Sequence, residues 1–275
     1  MTKYNFNIES EDFETGIISK SVPKIVSQKD SYLAGRFVDM GLPSGTLWAK
    51  YNLGVDLEKL NDASNWIGNY YAWGEIKPRR VFKTYSQPYN IAYYKFHAVS
   101  TKIDSLHPHH FIVDDEFSKY CNGKSMSRKI ESHRIDCLKI LELRDDAAYK
   151  TLSKLYDNPK IHMPNYENSL ELIRYTKKII TYDYCDIKGL NGVLLESITN
   201  NNSIFFPFTG YKEDLNLYNC NFGYMWTSSI STNSDITASA LCVKNIPGYE
   251  YAYNDLKRFY GLPIRPIIND DKTYY

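Results

Sequence analysis

Few residues in this 275-residue chain have the type and spacing that chemistry needs. The densest cluster is His107-Pro-His-His110 followed by Asp114-Asp-Glu116. Imidazoles and carboxylates this close could hold a metal. Pro108 and the adjacent His pair, however, give neither the i, i+4 spacing of a helix nor the alternation of a strand, so a solvated loop is preferred to a metal centre. A second pair, Asp145-Asp146, could support general acid–base catalysis. Both stand where an apolar helix should begin, and capping of its unpaired N–H groups accounts for them without chemistry. Ser228-Ser229 lacks a Gly-x-Ser-x-Gly elbow and signals no hydrolytic nucleophile. The five cysteines, Cys121, Cys137, Cys185, Cys220 and Cys242, are odd in number and form no Cys-x-x-Cys. Free buried thiols are expected, not a zinc knuckle or a redox pair. No catalytic residue, metal ligand or cofactor emerges.

Recognition is better represented. The chain carries 25 tyrosines, a residue that joins a large contact area to a hydrogen-bonding tip. Such a composition suits a binding surface and equally a strand-rich core. Near the C-terminus Tyr249, Tyr251 and Tyr253 alternate with Glu250, Ala252 and Asn254, which places three rings on one face of a strand. If that face is outside, it is an aromatic platform for a sugar or a protein. If it is inside, the exposed set is Glu250, Ala252 and Asn254 with the following Asp255, Leu256 and Lys257. The pattern leaves both open. Candidate ligand contacts are Ser231, Asn233 and Asp235 in the preceding turn, then Tyr249, Glu250, Tyr251, Tyr253, Asn254, Asp255 and Lys257.

The elements that would position these residues are mostly short strands. Phe37, Leu47 and Trp48 flank Pro43-Ser-Gly45, a turn between two strands. Asn69-Tyr-Tyr-Ala-Trp-Gly74 reads as a further aromatic strand ending at glycine. Pro164 opens a helix with Leu170 and Ile173 on one face, capped by Asn165. Gly192–Leu195, Ser203–Phe208, Tyr224–Ser229 and Ala238–Val243 read as strands. Phe205 and Phe206 are adjacent, so they can both be buried only if their sheet is covered on both sides.

Several of these stretches resemble one family. Phe37-Val-Asp-Met-Gly-Leu-Pro-Ser-Gly-Thr-Leu-Trp-Ala49 and Tyr70-Tyr-Ala-Trp-Gly-Glu75 are similar to the opening "VDLGLPSGTLWA…YYAWGE" of the Fibrobacter succinogenes major paralogous (FISUMP)-like modules of gut Bacteroidota and their phages. Arg258-Phe-Tyr-Gly-Leu-Pro-Ile-Arg-Pro-Ile267 resembles that family's closing "RYYGxSVRPV". Leu141–Ala148 resembles its "LExEDDAA", and Ile161–Ile173 its "WRMPTxxEWxEL", with Ile161 and His162 replacing Trp and Arg and Asn165 replacing the usual Thr cap. The resemblance implies an α+β, C-type-lectin-like (formylglycine-generating-enzyme-like) domain of short twisted antiparallel strands, two main helices and long loops. It would cover residues 35–275, with a divergent insertion at about 84–118. The related oxidase needs a close cysteine pair for copper, and Cys220 and Cys242 are 22 positions apart. A calcium lectin would need clustered oxygen ligands, and no Glu-Pro-Asn or Gln-Pro-Asp triplet occurs.

Charge, at +1, writes no polyanion-binding field into the chain, so nucleic acid is not an expected partner. No 18-residue apolar run is present, and the first residues lack the basic start and apolar core of a secretory signal. Residues 1–34, with four Lys against five Asp or Glu and few large apolar residues, cannot close a core of their own and read as an extended polar arm. The expectation is a non-enzymatic ligand- or receptor-binding protein, displayed on a phage virion through that arm and contacting other virion proteins there. Its ligand would be a cell-surface glycan or protein receptor. A homotrimer would suit display through multivalency, although no heptads enforce one. The alternatives are a virion structural protein, such as a head fibre or decoration subunit without a specific ligand, and a cytoplasmic bacterial binding module.

Overall fold

A computed structural model describes residues 35–78, 112–113, 116–117, 120, 137–213, 216–234, 237–246 and 251–269; within 112–117 and 251–254 the backbone alone is described. The architecture is mixed α and β, built mostly from small antiparallel sheets with two helices. The His107–His110 cluster, residues 1–34, Cys121 and most of residues 84–118, the segment expected to be a divergent insertion, lie outside the described residues. Two two-residue strands, β3 (Ile112–Val113) and β4 (Glu116–Phe117), pair with each other.

The two ends of the described chain meet. β1 (Phe37–Asp39) and β2 (Leu47–Ala49) form the hairpin expected around Pro43-Ser-Gly45, closed by a Gly45 N–H to Leu42 carbonyl bond of 2.9 Å. β2 then pairs with the C-terminal β14 (Ile267–Ile268), which also pairs with β5 (Ile161–His162), giving the order β1-β2-β14-β5. Asn69–Gly74 is not the strand its sequence suggests. It makes a single antiparallel bridge, Tyr71 to Leu262, and a bond from Trp73 N–H to the Arg258 carbonyl. Gly74, at φ 79°, turns the chain away before pairing can extend.

The central sheet contains β11 (Phe222–Ile230), β12 (Thr237–Lys244) and β13 (Tyr251–Lys257), in that order. It is buried on both faces, as the near-continuous apolar sequence of β12 requires. Tyr224, Trp226, Ala240 and Cys242 enter one core with Trp73, Tyr120, Leu141 and Leu262. Met225, Leu241 and Val243 enter the other with Trp48, Leu172, Ile173, Val193 and Phe206. The register slips between Trp226 and Ile230. In that bulge the backbone is released to bond elsewhere: Ser228 N–H donates to the Pro164 carbonyl, and its own carbonyl accepts from Leu141.

A second sheet, β6 (Thr176–Thr181), β7 (Gly192–Ser197) and β8 (Ser203–Pro207), packs beside it. Phe205 and Phe206 are both buried, Phe206 beside Trp48 and Phe205 in a cluster with Trp66 and Leu190. The sheet is therefore covered on both sides at this edge.

The first helix opens in α conformation at 147–148, passes through a π-turn, Tyr149–Ser153, and continues as α1 (Lys154–Tyr156). α2 (Tyr166–Arg174) is capped by Asn165, whose side chain accepts from Asn168 N–H while the Asn168 side chain accepts from Asn165 N–H. Pro164 precedes the cap and is not inside the helix. The buried face is Ser169, Leu172 and Ile173, and Leu170 is only half-buried. Glu171 on the same helix holds the β1–β2 turn by accepting from Ser44 N–H at 2.9 Å and Ser44 Oγ at 2.6 Å.

Candidate functional site

Of the residues expected to meet a ligand, Tyr251, Tyr253, Asn254, Asp255 and Lys257 have their backbone in β13, and Ser231 and Asn233 lie in the turn after β11. Tyr251 lies opposite Val243 at one end and Lys257 opposite Thr237 at the other, which at about 3.3 Å per residue is roughly 20 Å. Asp235, Tyr249 and Glu250 lie outside the described residues. For Tyr251, Tyr253 and Asn254 the backbone position in β13 is described and the side chains are not.

At the Lys257 end, Ser231, Asn233 and Asp255 do come together. Ser231 Oγ and Asn233 Nδ2 both donate to Asp255 Oδ2, at 2.7 and 3.1 Å, and Ser239 Oγ donates to Oδ1 at 3.4 Å. Asn233 N–H closes the turn by donating to Ser231 Oγ at 3.0 Å. Ser231 is buried. These bonds tie the turn after β11 to the edge strand, so the Asp255 carboxylate is already engaged within the fold.

Lys257 leads to a different surface. Its ammonium lies 5.4 Å from the Phe259 ring centroid and 5.8 Å from that of Tyr260. Tyr260 stacks on Tyr211 at 4.8 Å, and Tyr211 stacks in turn on Tyr218 at 5.5 Å, both pairs inclined by 22°. Tyr224 meets the Tyr211 ring edge-on at 5.5 Å. Three near-parallel rings thus form a column, with a cation at one end and Tyr218, 40% exposed, at the other.

The column rests on a two-stranded ribbon, β9 (Tyr211–Glu213) and β10 (Asn216–Tyr218). The ribbon is anchored by a parallel bridge from Gly210 to Gly223 and by paired backbone bonds between Lys212 and Gly261, each 2.9 Å. Gly210 is at φ 58°, and a Cβ there would lie 2.5 Å from the Tyr218 carbonyl oxygen, so glycine is what lets the chain entering β9 pass close to the end of β10. Burial, then the neighbouring Glu213 carboxylate, raises the phenol pKa of both Tyr211 and Tyr260. Burial also pushes Tyr224 up to about 12. All three stay neutral hydroxyls at physiological pH, able to donate and accept.

The other constellations fold into structure. Asp146 Oδ1 caps the first helix by accepting from Tyr149 N–H at 2.8 Å, and Oδ2 accepts from Met163 N–H at 2.8 Å. Asp145 accepts from the Tyr120 hydroxyl at 2.5 Å. Ser229 Oγ accepts from Tyr166 N–H at the start of α2. Three thiols expected to be buried are exposed, Cys137, Cys185 and Cys220; only Cys242 among the described cysteines is buried. A cleft between β1, the loop 51–57 and the first helix, lined by Arg36, Tyr51, Leu57, Leu152 and Tyr156, encloses about 80 Å³. That is well below the roughly 300 Å³ at which small-molecule sites begin.

The ribbon was not singled out from sequence. Its signal is the mirrored run Tyr211-Lys-Glu213 and Asn216-Leu-Tyr218 around two residues, a hairpin pattern with aromatic and polar residues in alternate positions. Compared with known proteins, the chain matches no family model, no curated protein and no solved structure.

Proposed function

We propose that this protein is a non-enzymatic, lectin-like binding protein of the FISUMP type, with a C-type-lectin-like fold, displayed on a phage virion through residues 1–34. The observation that carries the binding reading is the aromatic column Tyr218–Tyr211–Tyr260, backed by core residues and open at Tyr218. Stacking and edge contacts hold its rings before any ligand arrives, which lowers the ordering cost of binding. The family assignment is supported by the motifs at the two ends of the domain. Trp48 lies opposite Ile267 in the strand register, and Trp73 bonds to Arg258, so the segments that carry the resemblance are the segments that close the fold. A cell-surface glycan or protein is the ligand, and multivalent display, as in a homotrimer, would raise the avidity of a small contact surface.

The test uses the full chain, fluorescently labelled and incubated with cells from the source culture, beside quantitative mass spectrometry of density-purified particles. Saturable retention on cells together with stoichiometric copies in particles is the expected result. Stoichiometric copies without retention would replace adhesion by a head-fibre or decoration role. Absence from particles would remove the virion part of the proposal.

A further inference from the structure

The two faces of the β9–β10 ribbon differ in kind. Its register sets Glu213 opposite Asn216, Lys212 opposite Leu217 and Tyr211 opposite Tyr218. Opposed side chains leave the same side of a ribbon and successive ones alternate. Tyr211, Tyr218, Glu213 and Asn216 therefore share one face, and Lys212 and Leu217 share the other. On the second face the Lys212 ammonium sits 4.4 Å from the Tyr70 ring centroid, while Leu217, beside Gly210, is 42% exposed. On the first face, the inner side of the Tyr218 ring is taken by Tyr211, while 40% of the residue is open.

We propose that the Tyr218 ring, flanked by Asn216 and Glu213, is the stacking platform of a pyranose-binding subsite. This rests on the binding reading above and names its ligand class. A hexopyranose has a face of C–H groups and a rim of hydroxyls. Laid on Tyr218, the C–H face loses water against the ring. The rim then meets an amide that both donates and accepts and a carboxylate that accepts. The Asn216 amide already points to this place, with Nδ2 3.5 Å from the Tyr218 hydroxyl. One apolar surface with a few convergent polar groups is the composition of a small-ligand site.

The same face suits other ligands less well. A stable protein partner covers about 800 Å² per side around buried aromatic anchors, and here the ring is bordered at once by exposed polar groups. A nucleic acid strand needs a cationic track beside its stacking rings, and Glu213 would repel its phosphates while Lys212 faces Tyr70.

Saturation-transfer-difference NMR of the full chain, with neutral gluco-, galacto-, manno- and xylo-configured oligosaccharides as probes, tests the proposal. At least one probe should receive saturation mainly at the C–H protons of one ring face. Tyr218→Ala should weaken that binding about tenfold or more, whereas Tyr218→Phe, which keeps the flat face, should stay within about threefold. Tyr218→Leu separates a lost flat face from lost apolar bulk, and unchanged thermal unfolding certifies each variant as folded. Saturation that persists unchanged in folded Tyr218→Ala would overturn the site. No saturation with any probe, while cells still retain the protein and lose it after protease treatment, would overturn the sugar chemistry and leave a protein receptor. No binding to sugars or cells would overturn both this inference and the binding reading.

Discussion

Arg265 should be among the most costly residues in this protein to remove. It is buried, at 1% exposure, with no carboxylate among its hydrogen-bond acceptors. Nε donates to Asn52 Oδ1 at 2.8 Å, one terminal nitrogen to the Ala49 and Lys50 carbonyls at 3.1 and 2.8 Å, and the other to the Phe205 carbonyl at 3.0 Å. The guanidinium also lies 4.3 Å from the Phe206 ring centroid. One planar fork thereby joins the end of β2, the loop at Asn52 and β8 to the C-terminal segment. Burial pulls its pKa below the ordinary arginine value. Each bond from a charged donor contributes roughly 1.5–3 kcal/mol, and an acceptor left dry costs about as much. Against four such bonds stands the relief of no longer burying a cation, itself several kcal/mol. The net expectation for Arg265→Met, which keeps the stem volume, is a loss of about 4 kcal/mol. For a chain of this size that is a fall of roughly 8–16 °C in Tm. Arg265→Lys keeps the charge without the fork and should lose about half as much. Urea titration followed by tryptophan fluorescence reads the shift in midpoint. If Arg265→Met stays within about 1 kcal/mol of the parent, desolvation cancels the bonds and the fork does not hold the fold together.

Asp146 should give stability a pH dependence. It is fully buried, and burial raises its pKa despite bonds from Tyr149 and Met163 and the proximity of His162. With the folded value above the unfolded 3.8, the native state binds the extra proton, so this group's contribution falls as pH rises from about 4 through the folded value. Asp146→Asn should flatten that slope in urea titrations across pH 4–7, and an unchanged slope would assign it to another group. Asn165→Ala should cost about 1 kcal/mol by removing the α2 cap, while Asn165→Thr stays within about 0.5 kcal/mol. Equal losses for both would mean that the capping box is not what sets the helix start. Residue-resolved alkylation should label Cys137, Cys185 and Cys220 in the native protein but Cys242 only in denaturant, because burial pushes that thiol up to about 12. Rapid native labelling of Cys242 would show that β12 opens.

Local chemistry was legible wherever a residue's role depends on its neighbours in the chain. Pro43-Ser-Gly45 turns the hairpin, Asn165 caps α2, and the apolar runs at 192–195 and 238–243 are strands, because turn geometry, capping and alternation act over a few residues. Residues 69–74 show where that reading ends: an aromatic run with strand propensity makes one bridge, Tyr71 to Leu262, and otherwise bonds to separate partners, Asn69 to Leu53 and Trp73 to Arg258. Asp145 and Asp146 are adjacent and chemically identical, yet one caps a helix and the other receives a tyrosine hydroxyl from 25 positions away.

By itself, then, the sequence determined the first hairpin with its turn, the strands at 192–195, 203–207, 224–229 and 238–243, and the capped helix after Asn165. The adjacent pair Phe205 and Phe206 even announced the condition under which both could be buried. Only tertiary structure decided that the domain closes end to end, that Arg265 and Arg258 are core residues and not surface charges, and that Asp255 is tied to Ser231 and Asn233. It also decided that Tyr211, Tyr218 and Tyr260 form one column. Those partners lie far apart in the chain, 216 positions for Arg265 and Ala49, and their contacts depend on how sheets stack and where a bulge frees the backbone. No local propensity encodes that information.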